Sequence, residues 1–202
     1  MITIAWDVDD VLNDLMRAWL EQWWLPQHAD CTARYADLTE NPPHRRLGIG
    51  RQEYLEALDA FRLSPLAQEM APAAEVVAWF EEHGATARHL ALTAAPLRTA
   101  HLSAAWVLRH FGRWIRSFHV IPSPRPGVEA PTYDQTKAEF LRWWGKVDLL
   151  VDDHPAHVAA AQQIGIRAVL WPQPWNNARA TVAQALAVVT ATAQWGAGDE
   201  IV

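Results

Sequence analysis

Apolar positions along the chain follow two alternating rhythms. Five short runs, "ITIAW" (Ile2–Trp6), "ARHLALTA" (Ala87–Ala94), "SFHVIPS" (Ser117–Ser123), "VDLLVDD" (Val147–Asp153) and "RAVLWP" (Arg167–Pro172), have strand length, and several are apolar almost throughout. Such runs predict strands covered on both faces. Between them, "AAEVVAWFEEHG", "LRTAHLSAAWVLRHFG", "QTKAEFLRWWG" and "PAHVAAAQQIG" space their apolar residues as helices do, and a closing Gly is a helix stop. Strand and helix alternate. The pattern predicts an α/β fold, a doubly wound parallel sheet with helices on both faces in a Rossmann-like three-layer core. In such sheets chemistry sits at the carboxyl ends of the strands.

One stretch breaks the rhythm. From Leu15 to Ala71 there are helical patches, "LMRAWLEQWWLPQ" and "RQEYLEALDAFR", around a polar, Pro-rich middle, "TENPPHRR", and no strand pattern. This predicts a small helical cap inserted after the first strand, covering the strand ends. The expected division is a core of residues 1–14 and 72–202 and a cap of residues 15–71. The tail "TVAQALAVVTATAQWGAGDEIV" reads as a closing helix with a loose end.

Composition narrows the function classes. With 202 residues, half of them apolar and a fifth charged, the chain has the makeup of a globular protein with room for one core and a small insert. A net charge of −6 without any Lys/Arg block excludes a protein that grips duplex nucleic acid by neutralising phosphates. A small anionic ligand needs only one local positive site. The single cysteine, Cys31, forms no internal disulfide and fits a reducing compartment. No apolar run reaches ~18 residues and no leader pattern opens the chain, so the expectation is a cytoplasmic protein without membrane association. The twelve tryptophans are expected mostly in packing.

Chemistry gathers at the predicted strand ends. The first strand runs into Asp7-Val8-Asp9-Asp10, the second ends in Thr93-Ala94-Ala95, and the fourth in Asp152-Asp153. A parallel sheet brings these together on one edge. Clustered carboxylates resist ionising unless a cation joins them. Mg2+ takes one or two carboxylates, keeps waters and leaves coordination for phosphate oxygens. Lys137 adds a second positive group, while the Thr93 hydroxyl and the N–H groups from Ala94 onward suit phosphate oxygens. A single aspartate at a strand end is most often a turn or helix cap. The joint occurrence of Asp-x-Asp, Thr, Lys and Asp-Asp in this order points to a site.

That order resembles the haloacid dehalogenase (HAD) superfamily of phosphohydrolases. "IAWDVDDVL" resembles its first motif, "LALTAAP" its second, Lys137 in "QTKAEFL" its third and "LLVDDHP" its fourth. The resemblance implies a HAD-like core in which Asp7 is the nucleophile, Asp9 the general acid/base, and Thr93, Ala94 and Lys137 bind phosphate. It also implies a magnesium site built from Asp7, Asp9 (through its backbone carbonyl), Asp152 and Asp153. "APLRTAHLSAAWVLRHFG", "LAQEMAPAAEVVAWF" and "VLWPQPWN" bring the likeness closer to the 5′(3′)-deoxyribonucleotidases, where Arg98 matches a basic residue near the phosphate. The implied activity is magnesium-dependent hydrolysis of 5′- or 3′-(deoxy)nucleoside monophosphates through an aspartyl-phosphate, by a monomer or homodimer. The alternatives are another small phosphoester, such as a sugar phosphate or cofactor precursor, or a non-catalytic binding protein. Trp19, Trp23 and Trp24 suit a stacking surface for a nucleobase, and Trp19 and Trp23 equally suit a packing stripe. Two departures stand out. Asp10 replaces the Gly usual after the second Asp, and "PRPGVEAPTYDQT" separates Lys137 from its strand, leaving Arg125 and Lys146 as poorer candidates for its role.

Overall fold

Five strands form where the apolar runs lie: β1 (Thr3–Trp6), β2 (Arg88–Ala95), β3 (Ile115–Pro122), β4 (Leu149–Asp152) and β5 (Arg167–Leu170). All four pairings are parallel, in the order β3-β2-β1-β4-β5, so β1 lies at the centre between β2 and β4. The structure, a computed structural model, describes residues 1–198.

The helices, in chain order, are α1 (Leu15–Ala18), a π-helical turn (Trp19–Trp24), α2 (Leu25–Gln27), a 3-10 turn (Tyr35–Asp37), α3 (Arg51–Leu63), α4 (Pro65–Gln68), α5 (Ala74–His83), α6 (Leu97–Phe111), α7 (Lys137–Trp144), α8 (Pro155–Gln163) and α9 (Val182–Gly198). The loose end expected after α9 falls on residues 199–202, outside the described residues.

Alternation along each strand splits the core into two layers. Ile4 and Trp6 point to one face, where they meet Val76 and Phe80 of α5, Val107 and Phe111 of α6 and Val189 of α9. Ala5 points to the other, with Leu90, Leu150, Phe140 of α7 and Ala161 of α8. The result is the expected three-layer α/β/α arrangement. The glycine stops work in two ways. Gly145 ends α7 in the left-handed region, φ 63°. Gly84 after α5 is right-handed, and there the missing side chain matters for space, since a Cβ would sit 2.4 Å from the Phe80 carbonyl oxygen and 2.6 Å from the Trp114 ring.

From Leu15 to Gln68 every element is helical. These helices bury their own apolar cluster, including Leu15, Leu20, Leu38, Tyr54, Leu58 and Phe61. The chain leaves and re-enters the sheet side by side, because Asn13 bridges to Pro72 and the Ala73 N–H donates to the Leu12 carbonyl at 2.9 Å. The π-helical turn changes the tryptophan pattern. With i→i+5 bonding, residues five apart share a side, so Trp19 packs on Trp24, their rings 5.4 Å apart, while Trp23 is only partly buried. The stripe expected from Trp19 and Trp23 is therefore formed by Trp19 and Trp24.

Candidate active site

Asp7 follows the last residue of the central strand, and its N–H still donates to the Val151 carbonyl at 2.9 Å, which fixes it beside β4. Asp152 ends β4 and Asp153 follows it. One carboxylate oxygen from each of Asp7, Asp152 and Asp153 lies within 4.8 Å of the others, and all three residues are buried. The topology thus brings together carboxylates remote in sequence.

Lys137 completes the cluster. Thr136 caps α7 by accepting the Glu139 N–H at 3.1 Å, which makes Lys137 the first helical residue. Its stem is buried, and Nζ reaches Asp152 Oδ2 at 2.6 Å and Asp7 Oδ1 at 2.8 Å. The loop between β3 and α7 therefore carries Lys137 back under the strand ends. Lys146 lines the opposite edge of the sheet, with Thr3 and Asp148.

The electrostatics follow from burial and neighbours. Burial pushes the Asp7 carboxyl up to about 6, against the pull of Lys137 and with a further push from Asp152. Burial also works against the Asp152 charge, but Lys137 and the His157 contact outweigh it and bring that carboxyl down to about 2. Asp153 is held well above the usual range by burial, then by Asp7 and Asp152. Burial opposes the Lys137 charge as well, yet the Asp152 and Asp7 carboxylates keep it above the ordinary lysine value. One ammonium among three buried carboxylates leaves the cluster short of positive charge. An all-oxygen donor set of this kind fits a hard divalent cation such as magnesium.

Asp9 stands apart from this cluster. Its expected part in the magnesium site is through the backbone carbonyl, and its carboxylate is engaged elsewhere, with Oδ2 accepting from Arg62 Nη1 at 2.6 Å and Oδ1 from Asn13 Nδ2 at 3.5 Å. Asp10 adopts φ 61°. Its Oδ1 accepts the Met16 N–H at 2.8 Å, at the start of α1, and its own N–H donates to Asn13 Oδ1 at 3.1 Å. The left-handed turn explains the position, since Asp is among the few non-Gly residues that enter this region readily.

A cavity of about 230 Å³ opens over Asp7 and Asp9, with Thr93 and Ala94 on one side and His154 and His157 on another. The helical segment supplies its roof, with Arg51, Tyr54, Leu55, Leu58 and Arg62 all on one face of α3. Arg98, expected near the phosphate, is elsewhere. It is 51% exposed, and Nη2 donates to Asp59 Oδ2 at 2.8 Å. Asp59 is fully buried and also holds Arg125 at 2.7 and 2.9 Å, so α3 is clamped to the core by one carboxylate between two guanidiniums. Burial works against the Asp59 charge, but Arg125 and Arg98 hold its carboxyl below the ordinary range.

The three tryptophans expected to stack a base do not line this cavity. Trp19 sits against Trp24 and the edge of Tyr54, Trp24 stacks on His28 and Trp23 packs on Phe61. Their large apolar surface is used inside the helical layer.

Several residues around the site were not anticipated. His157 Nδ1 lies 3.2 Å from Asp152 Oδ1, and His154 lines the cavity beside it; "VDDHPAH" held them next to the acidic pair. Trp175 Nε1 donates to Asp153 Oδ2 at 2.7 Å, and Asn176 Nδ2 to the Asp153 carbonyl at 2.7 Å, so the "WPQPWN" loop orients that carboxylate. Arg62 and Asp59 had one visible signal. They are charges at i and i+3 within the apolar stretch "LDAFRL".

No protein family matches this sequence, and no curated protein does. Solved structures do match the fold. A HAD-superfamily hydrolase of subfamily IA from Geobacter sulfurreducens is 14% identical with a TM-score of 0.56, over 95% of this chain and 96% of that one. A HAD family hydrolase from Deinococcus radiodurans, with bound phosphate and sodium, is 13% identical with a TM-score of 0.57, over 96% of each chain. The protein tyrosine kinase A of Mycobacterium tuberculosis is 18% identical with a TM-score of 0.58, over 88% of this chain and 86% of that one. The architecture is thus the HAD-like α/β fold, on which more than one activity is built.

Proposed function

We propose that the protein is a magnesium-dependent phosphomonoester hydrolase working through an aspartyl-phosphate, with residues 15–71 acting as a cap over its active site. The observation that carries this reading is Lys137 Nζ lying between Asp7 and Asp152 beneath a cavity walled by Thr93.

Asp7 attacks phosphorus in line; its Oδ–P bond forms as the bond to the leaving oxygen breaks. Protonated Asp9 gives its proton to the leaving alkoxide, then takes one from the water that attacks the phosphoryl-aspartate. That second attack breaks the Asp7–phosphorus bond and returns the carboxylate and free phosphate. Lys137 and the Thr93 hydroxyl hold the phosphoryl oxygens, so positioning and charge supply most of the rate. Asp7, Asp152 and Asp153 would hold the magnesium ion, which when bound supplies positive charge to the phosphoryl oxygens. The α3 roof excludes water.

A nucleoside monophosphate as substrate now rests on sequence resemblance alone, because the tryptophans belong to the packing of the helical layer. A smaller phosphoester is better supported. The cavity of about 230 Å³ is below the ~300–1,000 Å³ usual for sites that enclose larger ligands.

Phosphate release from nucleoside monophosphates, sugar phosphates and short alkyl phosphates, with Mg2+ or with EDTA, tests the reading. Metal-dependent release is expected, and it should vanish in Asp7→Asn while the variant melts as a folded protein. Full activity in Asp7→Asn, or turnover indifferent to EDTA, would overturn it.

A further inference from the structure

Among the described residues, Arg62 is the one cation that forms an ion pair with the proposed acid/base. Its side chain is 10% exposed and Nη1 lies 2.6 Å from Asp9 Oδ2, while its buried Nε has no hydrogen-bond partner among the described residues. A buried guanidinium N–H left without an acceptor is costly, and this guanidinium borders the cavity above Asp7. Arg51, on the same face of α3, also lines the cavity and forms no ion pair among the described residues. Arg125, by contrast, is engaged by Asp59, which it shares with Arg98. The roof therefore offers positive charge and free donors beyond what the protein's own carboxylates use.

Asp9 engages the Arg62 guanidinium through Nη1 alone. Both Asp9 oxygens accept hydrogen bonds, from Arg62 and Asn13. The Nε edge of Arg62 is left for a second anion, and a neutral leaving group offers none.

We infer that the leaving group of the substrate carries its own anionic group, a carboxylate or a second phosphate, which Arg62 holds at the roof of the cavity through the edge that Asp9 leaves unused. This rests on the phosphatase reading above and names the substrate class of that site. An anion with two oxygens accepts from Nη2 and the orphaned Nε together, the side-on bidentate geometry in which arginine binds best. Arg62 then binds the leaving group directly, and the cap selects phosphorylated acids or compact bisphosphates over neutral phosphoesters.

The test pairs short ω-carboxyalkyl phosphonates and alkane bisphosphonates with plain alkyl phosphonates of equal length, titrated calorimetrically with Mg2+ present. Wild type should bind one or both anionic series at least about tenfold tighter than the neutral one, and the favoured series tells carboxylate from phosphate. Arg62→Met should reduce that preference to within about twofold, with Arg62→Lys restoring part of it. In turnover of the matching phosphates, Arg62→Met should lower kcat/KM for the anionic esters several-fold more than for the neutral ones. Equal binding of all series by wild type, or a loss in Arg62→Met equal across them, would overturn the inference. Hydrolysis of p-nitrophenyl phosphate reports separately on Asp7. Its absence counts against the phosphatase reading, and the phosphonate titration still decides the role of Arg62.

Discussion

Lys137 Nζ sits 2.8 Å from Asp7 Oδ1, in a buried contact between the first residue of a helix and the residue that follows the central strand. The same ammonium is 2.6 Å from Asp152. Removing it strands two carboxylates without their cation. Lys137→Met should therefore destabilise the metal-free protein by about 3–5 kcal/mol, the usual result of breaking a buried pair from one side. A bound divalent cation replaces the lost charge, so saturating Mg2+ should raise the melting temperature of Lys137→Met more than that of wild type. Equal shifts in the two proteins would argue against a metal beside Lys137.

The acid response of the metal-free protein has a definite sign. Asp7 titrates at about 6 in the fold against 3.8 for an ordinary aspartate, so the folded chain holds that proton more tightly than the unfolded one. Its contribution to stability is fully present below 3.8 and is lost as pH rises through about 6. Asp152, lowered to about 2, acts oppositely; its contribution is present above 3.8 and lost as pH falls through about 2. Relative to Asp7→Asn, wild type without metal should lose stability between about pH 4 and 6. The same carboxyl must deprotonate to bind metal, so Mg2+ affinity should fall about tenfold or more per pH unit below about 6. Isothermal titration at several pH values checks this, and a pH-independent affinity would remove Asp7 from the metal site.

Much of this was legible in the chain because it depends on period and order. Each apolar run became a strand to within about two residues, and the parallel sheet then had to bring Asp7, Thr93 and Asp152 to one edge. The helical layer was less readable. A π-helical turn moved Trp24 in place of Trp23 onto the Trp19 side, a change that sequence spacing alone does not announce. Arg98, matched by resemblance to a basic residue near the phosphate, pairs with a buried carboxylate on α3, a contact its own stretch of sequence does not announce. Pairing across the seam between the helical layer and the core depends on how the two dock, and neither layer's pattern records the other.

Asp59 is where that docking is concentrated. Fully buried, it accepts three hydrogen bonds from Arg98 and Arg125. Asp59→Ala leaves the Arg125 guanidinium without its partner in a mostly buried place, at a cost of about 3–5 kcal/mol. The loss should fall on the seam between α3 and the core. Limited proteolysis should then cut within residues 15–71 faster, relative to the rest of the chain, than in wild type. Uniform acceleration along the chain would mean that Asp59 stabilises the whole fold and not the seam.

Asp10 separates backbone demand from side-chain chemistry. Its φ of 61° costs most residues about 1–2 kcal/mol, less for Asp, while its carboxyl caps the Met16 N–H from a buried position. Burial, chiefly, holds that carboxyl well above the usual range, so the charge itself is unfavourable there. Asp10→Asn keeps the conformational tolerance and an oxygen for Met16 while deleting the charge, and should match or exceed wild-type stability at pH 7 by up to about 1 kcal/mol. Asp10→Gly keeps the turn and loses the cap, a loss of roughly 1 kcal/mol. Asp10→Ala loses the cap and strains the turn as well, and should fall furthest, by about 2–3 kcal/mol. Denaturant midpoints should rank Asn, then Gly, then Ala. If Ala equals Gly, the left-handed turn is not what selects the residue at position 10, and the carboxyl's bond to Met16 must carry the whole effect.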